Sequence, residues 1–241
     1  MTGTSKRETG GRRVTAGVAT VALAATALAG AAVPASAQDT APRLPFGSVA
    51  VVLPVQSSLP SPGGSWPGDA ATEEEALRAM DAELGFALAD RRAARNWALP
   101  PDLRRRVQRN PMIAVDPDRV AFQGLIERPD RRDQIYEPLH GELRALAALF
   151  GTRFVILPLR LRMAPVRDEP PPDEARPDAV GLASCASGGT SRRPELLLTL
   201  IDIRRSAVLW HGTVQGRPGC PEDGGLLAQL AASVARQLTE S

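Results

Sequence analysis

LAALFGTRFVI, residues 146–156, joins the end of a helix to the start of a strand through a single glycine, and the rest of the fold reads outward from it. Upstream, Ile135, Leu139, Leu143, Leu146 and Phe150 recur at spacings of four, four, three and four. That is one face of a helix, so the spacing predicts a helix over Asp133 to Phe150. Gly151 follows at once, and glycine takes the left-handed conformation that closes a helix without a Cβ clash. Downstream, Val155, Leu157 and Leu159 alternate with Phe154, Ile156 and Arg160, which predicts a strand from Arg153 to Leu161. A helix that runs straight into an apolar strand is the unit of a sheet covered by helices.

Towards the N-terminus, Ser48 to Val55 (SVAVVLPV) is apolar on both alternating faces and reads as a strand from the centre of a sheet. Residues 56–71, with Pro60, Pro62, Gly63, Gly64, Pro67 and Gly68 around Trp66, read as a loop. Thr72 and Glu75 make a capping box, and Leu77, Met80, Leu84 and Leu88 mark a helix expected to reach about Asn96. Pro100-Pro101 starts a shorter helix with Leu103 and Val107 on one face and Arg104, Arg105, Arg106 and Arg109 turned to solvent; a solvated helix face is the expected reading of that cluster and an anion site the alternative. Residues 111–126 read as a strand or an irregular crossing.

Towards the C-terminus, residues 164–193 hold Pro165, Pro170, Pro171, Pro172, Pro177 and Gly188-Gly189, and read as a long inserted loop. Leu196 to Ile203 and Ala207 to Val214 form a hairpin around Arg204-Arg205-Ser206. Leu227, Leu230, Val234 and Leu238 define a last helix. The expected fold is therefore α/β (or α+β): one domain, residues 48–240, with a mixed central sheet, an antiparallel C-terminal hairpin and three or four flanking helices.

Residues 1–37 have the three parts of a signal peptide: a basic start at Lys6, Arg7, Arg12 and Arg13, the uncharged run Val14 to Val33, and small residues Ala35-Ser36-Ala37. The alternative is a retained membrane anchor, but the run is mostly alanine and weakly apolar. Cleavage would leave a short lead-in at 38–47. The whole chain carries 29 basic and 27 acidic residues; residues 1–37 hold four and one of these, leaving 25 against 26, net −1. A nucleic-acid partner, which demands a basic excess, is not expected. Lys6 is the only lysine, so the mature chain has none for a Schiff base or a phosphate loop. No cofactor is implied, and no stable membrane span is expected after cleavage.

Three stretches resemble a family of bacterial envelope proteins, the α/β domain shared by the TolB amino-terminus, CsgG and LpoB. Val49-Ala50-Val51-Val52-Leu53-Pro54-Val55 is similar to its opening strand, and Leu146 to Ile156 to its helix–glycine–strand junction. Leu198-Thr199-Leu200-Ile201-Asp202 to Val208-Leu209-Trp210 is similar to its hairpin, although Ser206-Ala207 stands where a Thr-Gly turn is usual. The chain lacks the lipid-anchoring cysteine of the lipoprotein members. The resemblance implies a fold and a compartment, periplasmic or extracellular, and carries over no functional residue.

In an exported chain the pair Cys185 and Cys220 suggests a disulfide. If the strands at 153–161 and 207–214 run the same way, the insertion and the 215–225 loop leave from one end of the sheet, one cysteine in each. Free thiols and a metal site are the alternatives, but His140 and His211 are the only histidines and sit on different elements. No nucleophile motif accompanies either histidine. Asp168, Glu169, Asp173 and Glu174 are expected to keep the insertion solvated. Trp66 is a possible contact residue, or a lid folded over the core. These readings predict a non-enzymatic accessory protein that binds an envelope protein or polymer. A hydrolase with an unrecognised site and a small-molecule-binding protein are the alternatives.

Overall fold

The computed structural model describes residues 44, 47–60, 66, 70–127, 133–166, 185, 191–221 and 223–240. The proposed leader, most of the lead-in and most of the insertion lie outside them.

The long strand after Gly151 organises the sheet. Gly151 has φ +60°, the left-handed conformation its position requires. β3 (Phe154–Pro165) then pairs in parallel with β1 (Ala50–Val52) and β2 (Ser58–Leu59), and antiparallel with β4 (Arg192–Asp202). β4 pairs antiparallel with β5 (Ala207–Gln215), giving the order β1-β3-β4-β5 with β2 beside β3. Register slips between Pro158 and Arg160, a bulge that takes up the proline, which has no N–H for the ladder. β3 and β4 run further than their alternation suggests and take Ala164-Pro165 and Arg192-Arg193 out of the insertion.

Helices cover both faces. α1 (Glu73–Ala89) and α5 (Gly225–Glu240) pack with Val52, Ile156, Leu198 and Trp210 in one core. α2 (Pro100–Gln108), α3 (Gln123–Glu127) and α4 (Leu139–Ala148) pack with Val51, Val155, Leu157 and Ile201 in the other. The molecule is thus a mixed α/β sheet between two helical layers. Leu230 and Val234 of α5 are fully buried, and truncating such a leucine typically costs about 2–5 kcal/mol.

Four details differ from the sequence reading. β1 lies at one end of the strand order, not in the centre. It is buried on both faces because each face has its own helices, and its outer edge bonds to Ala98: the Val52 N–H donates to Ala98 O at 2.9 Å, and the Ala98 N–H to Ala50 O at 2.9 Å. α1 stops at Ala89, seven residues before Asn96, and a 3₁₀ turn (Arg92–Ala94) leads to that edge segment. α4 begins at Leu139 instead of Asp133, because the residue before a proline is held out of the helical region, here by Pro138. Ile135 is still buried, in an extended segment whose Gln134 bridges Ala207 on β5. Ser58 and Leu59, expected in a loop, form β2 beside β3, while the 111–126 stretch takes the irregular of its two expected forms and leads into α3.

Candidate functional site

A cleft of about 490 Å³ opens between α2 and the edge segment beside β1. Asp102, Arg105 and Arg106 of α2 and its C-cap residue Arg109 line one wall, at spacings of three, one and three along a single stripe. Leu103, on the opposite side of the helix, is fully buried and fixes that stripe outward. The other wall is Arg95, Asn96, Trp97 and Ala98, completed by Val49 and by Phe150 from the end of α4. Trp97 and Ala98 are buried, which holds the backbone of this wall against the sheet while Arg95 and Asn96 stay exposed.

The charge of the cleft is lopsided. Arg105 forms an ion pair with Asp102 one turn back. The Arg106 guanidinium lies over the Phe150 ring, 5.5 Å from its centroid. Arg95, Arg106 and Arg109 have no carboxylate partner among the described residues. Four arginines therefore face one carboxylate.

Arg104, expected in solvent with its neighbours, turns inward instead. It donates to Asp81 Oδ2 at 2.5 Å and holds Asp118 through Nε, 3.0 and 3.2 Å from the two carboxylate oxygens. The Val55 N–H donates to Asp81 Oδ1 at 2.8 Å, so this network ties α1, α2, the 116–118 turn and the chain after β1 together behind the cleft. Burial, only partly offset by Val55 and Arg104, pushes the Asp81 carboxyl from 3.8 up to about 6. Arg104 is pushed up as well, first by its bond to Asp118 and then by Asp81, since one guanidinium serves both carboxylates.

The remaining titratable groups form separate clusters. Ser206 Oγ lies 3.1 Å from His140 Nε2, and His140 Nδ1 lies 3.3 Å from Glu137 Oε1. The serine has φ +51°, a strained value for a non-glycine residue, at the turn where the resembled family has Thr-Gly. His140 Nε2 also faces Ile203 O at 3.4 Å, and the Ser206 N–H already donates to Ile203 O at 3.3 Å. The trio thus pins the β4–β5 turn onto α4. His211 Nδ1 lies 2.7 Å from the Thr199 hydroxyl on the neighbouring strand. Arg162 binds Glu195, which also accepts from Gln215 at 3.1 Å. Beside them the Arg160 Nε is buried and has no hydrogen-bond partner among the described residues. Arg153 grips the buried Asp202 and holds its carboxyl below the usual range.

Cys185 and Cys220 are bonded to each other, with Cα atoms 5.4 Å apart. Beside the bridge, Arg192 and Gly219 exchange backbone hydrogen bonds of 2.8 and 2.9 Å, so the loop after β5 is stitched to the start of β4. Trp66 is half-buried, and the loop on both sides of it lies outside the described residues, as do Asp168, Glu169, Asp173 and Glu174. Among the described residues no three His, Cys, Asp or Glu side chains converge as metal ligands, and no helix is long and apolar enough to cross a membrane. The α2 stripe was visible as a run of arginines. Arg95, Phe150 and Ser206 were missed, because each reaches its cluster through tertiary packing and no local motif marks it.

No protein-family model matches the chain, and neither does any curated protein. Among solved structures it is similar to the PelC dodecamer from Paraburkholderia phytofirmans, at 14% identity and a TM-score of 0.34, over 83% of this chain and 94% of that one. It is also similar to the LpoB C-terminal domain from Salmonella enterica, at 13% identity and a TM-score of 0.35, over 71% of this chain and 84% of that one.

Proposed function

We propose that the mature chain is an exported, non-enzymatic accessory protein of the cell envelope that acts by binding an envelope protein or polymer. The observation that carries this reading is the arginine-lined cleft. It is concave, its backbone is anchored by buried residues, and its positive charge is locally uncompensated in a chain whose mature part is close to neutral. Such a surface suits contact with an acidic partner. The Cys185–Cys220 bridge supports an oxidising compartment. Affinity capture of the mature protein from envelope extract, under non-reducing conditions, tests the reading. Recovery of a specific envelope component at physiological salt is expected, and its absence would sink the proposal.

Ser206, His140 and Glu137 favour a second reading, a serine hydrolase, because nucleophile, base and carboxylate stand in sequence at hydrogen-bonding distance. Against it, the Ser206 N–H is committed to Ile203 O and is not free to stabilise an oxyanion. A fluorophosphonate probe separates the two: covalent labelling of Ser206, lost in His140→Ala, would establish the enzyme and remove the non-enzymatic reading.

A further inference from the structure

We propose that the cleft between α2 and the Arg95–Ala98 segment is a phosphate-binding site; the inference rests on the binding-protein reading and names the chemistry of its ligand. Three observations converge. Arg95, Arg106 and Arg109 border one space and lack carboxylate partners among the described residues. Arg106 is held over Phe150, so part of its ordering is complete before a ligand arrives. Asn96 adds an amide to the same rim.

The donor count selects phosphate over a simple carboxylate. Each guanidinium offers a planar fork of N–H groups, and a carboxylate is satisfied by one such fork. A phosphate group presents more oxygens and more charge, and takes bonds from several arginines together. The C-terminal dipole of α2 opposes an anion with only about half an elementary charge, confined to the last turn. Three unpaired guanidinium groups outweigh it. The cleft is also open, so the phosphate need not be a free ion. A phosphate in a polymer or in a lipid headgroup offers the same oxygens.

The test uses the mature protein with its disulfide intact and four probes: inorganic phosphate, short-chain polyphosphate, vesicles of phosphatidylglycerol in phosphatidylcholine, and polygalacturonate as a carboxylate polymer. Calorimetry reads the soluble probes and co-sedimentation the vesicles. The double variant Arg95→Ala/Arg109→Ala removes two exposed side chains. Arg204→Ala/Arg217→Ala removes the same charge from exposed positions outside the cleft. Each lost charge-assisted bond corresponds to roughly tenfold in affinity. The cleft variant should therefore bind a phosphate probe at least about tenfold more weakly than the wild type, and the remote variant close to it. Arg106→Gln, which keeps a polar stem, should weaken binding in the same direction. Binding of polyphosphate or phosphate without vesicles points to a soluble or polymeric ligand, and binding of phosphatidylglycerol vesicles alone points to a lipid headgroup.

Equal loss in both double variants would reduce the effect to net charge and overturn the proposal. So would polygalacturonate binding as tightly as polyphosphate, or no binding of any phosphate probe. If the wild type captures an envelope partner but binds no phosphate probe, the phosphate site fails and the binding-protein reading stands. If the wild type captures no partner, that reading fails whatever the cleft binds.

Discussion

Asp81→Asn asks whether burial or ion pairing governs the network behind the cleft. In the folded protein the Asp81 carboxyl is pushed from 3.8 to about 6, chiefly by burial. A carboxyl whose folded value lies above its unfolded value favours the protonated form in the fold. Its stabilising contribution is therefore complete below the unfolded value and is lost as pH rises through the folded one. A rise of about two units corresponds to roughly 3 kcal/mol lost between about pH 4 and pH 7. Asparagine cannot titrate, keeps an oxygen for the Val55 N–H, and leaves Arg104 paired with Asp118. Relative to the wild type, Asp81→Asn should thus gain up to about 3 kcal/mol across that window. Asp202 works in the opposite sense: its lowered carboxyl contributes stability at neutral pH that is lost on acidification. Because it is present in both proteins, it cancels from their difference. Urea unfolding followed by far-UV circular dichroism at pH 4, 5, 6 and 7 measures that difference. A variant that loses ground to the wild type as pH rises would show that the Arg104 ion pair outweighs desolvation, and would refute the reasoning.

Three further outcomes follow from individual contacts. The Cys185–Cys220 bridge spans 35 positions, and Cys185→Ser/Cys220→Ser should lower stability by roughly 3–4 kcal/mol on the chain-entropy account, read as a fall in urea midpoint; an unchanged midpoint would show that the bridge restrains little. Gly212→Ala would drive its Cβ into the Trp210 indole, whose Cε2 would lie 2.9 Å away. The expected loss is roughly 1–3 kcal/mol with altered tryptophan fluorescence, and a native-like melt would contradict it. Arg160→Met keeps the apolar stem and removes the buried Nε, which has no partner among the described residues, so stability to thermal unfolding should be unchanged or raised by up to about 1 kcal/mol; a clear loss would reveal a partner for that guanidinium.

Local signals were readable where neighbours in sequence are neighbours in space. The Gly151 turn, the β3 alternation, the β4–β5 hairpin and the α5 stripe each follow from a few consecutive residues. The helix over Asp133 to Phe150 was half wrong for an instructive reason. Ile135 lies four residues before Leu139, as a helix would place it, yet it is buried from an extended segment paired with β5. The apolar period satisfied both geometries, and only Pro138 distinguishes them. Arg104 was misread because its two carboxylates come from positions 81 and 118, which no window around α2 contains.

The contrast within α2 is the strongest physical argument about the cleft. Arg104 and Arg106 are two residues apart on one short helix, yet their surroundings diverge. Arg104 meets two carboxylates and becomes part of the framework. Arg106 meets an aromatic ring and open space. A merely solvated helix face commonly balances its charges at three- and four-residue spacings, as Glu74 and Arg78 do on α1. On α2 only Asp102 plays that part, for Arg105, and the edge segment brings Arg95 towards the surplus when a neutral residue would have relieved it. Like charges gathered around a concave space repel one another, and an anion in that space reverses the sign of the interaction. Raising phosphate concentration should therefore raise the melting temperature of the wild type more than that of Arg95→Ala/Arg109→Ala, because a ligand that binds only the fold stabilises it by mass action. Equal shifts in the two proteins would place the effect in general salting and not in the cleft.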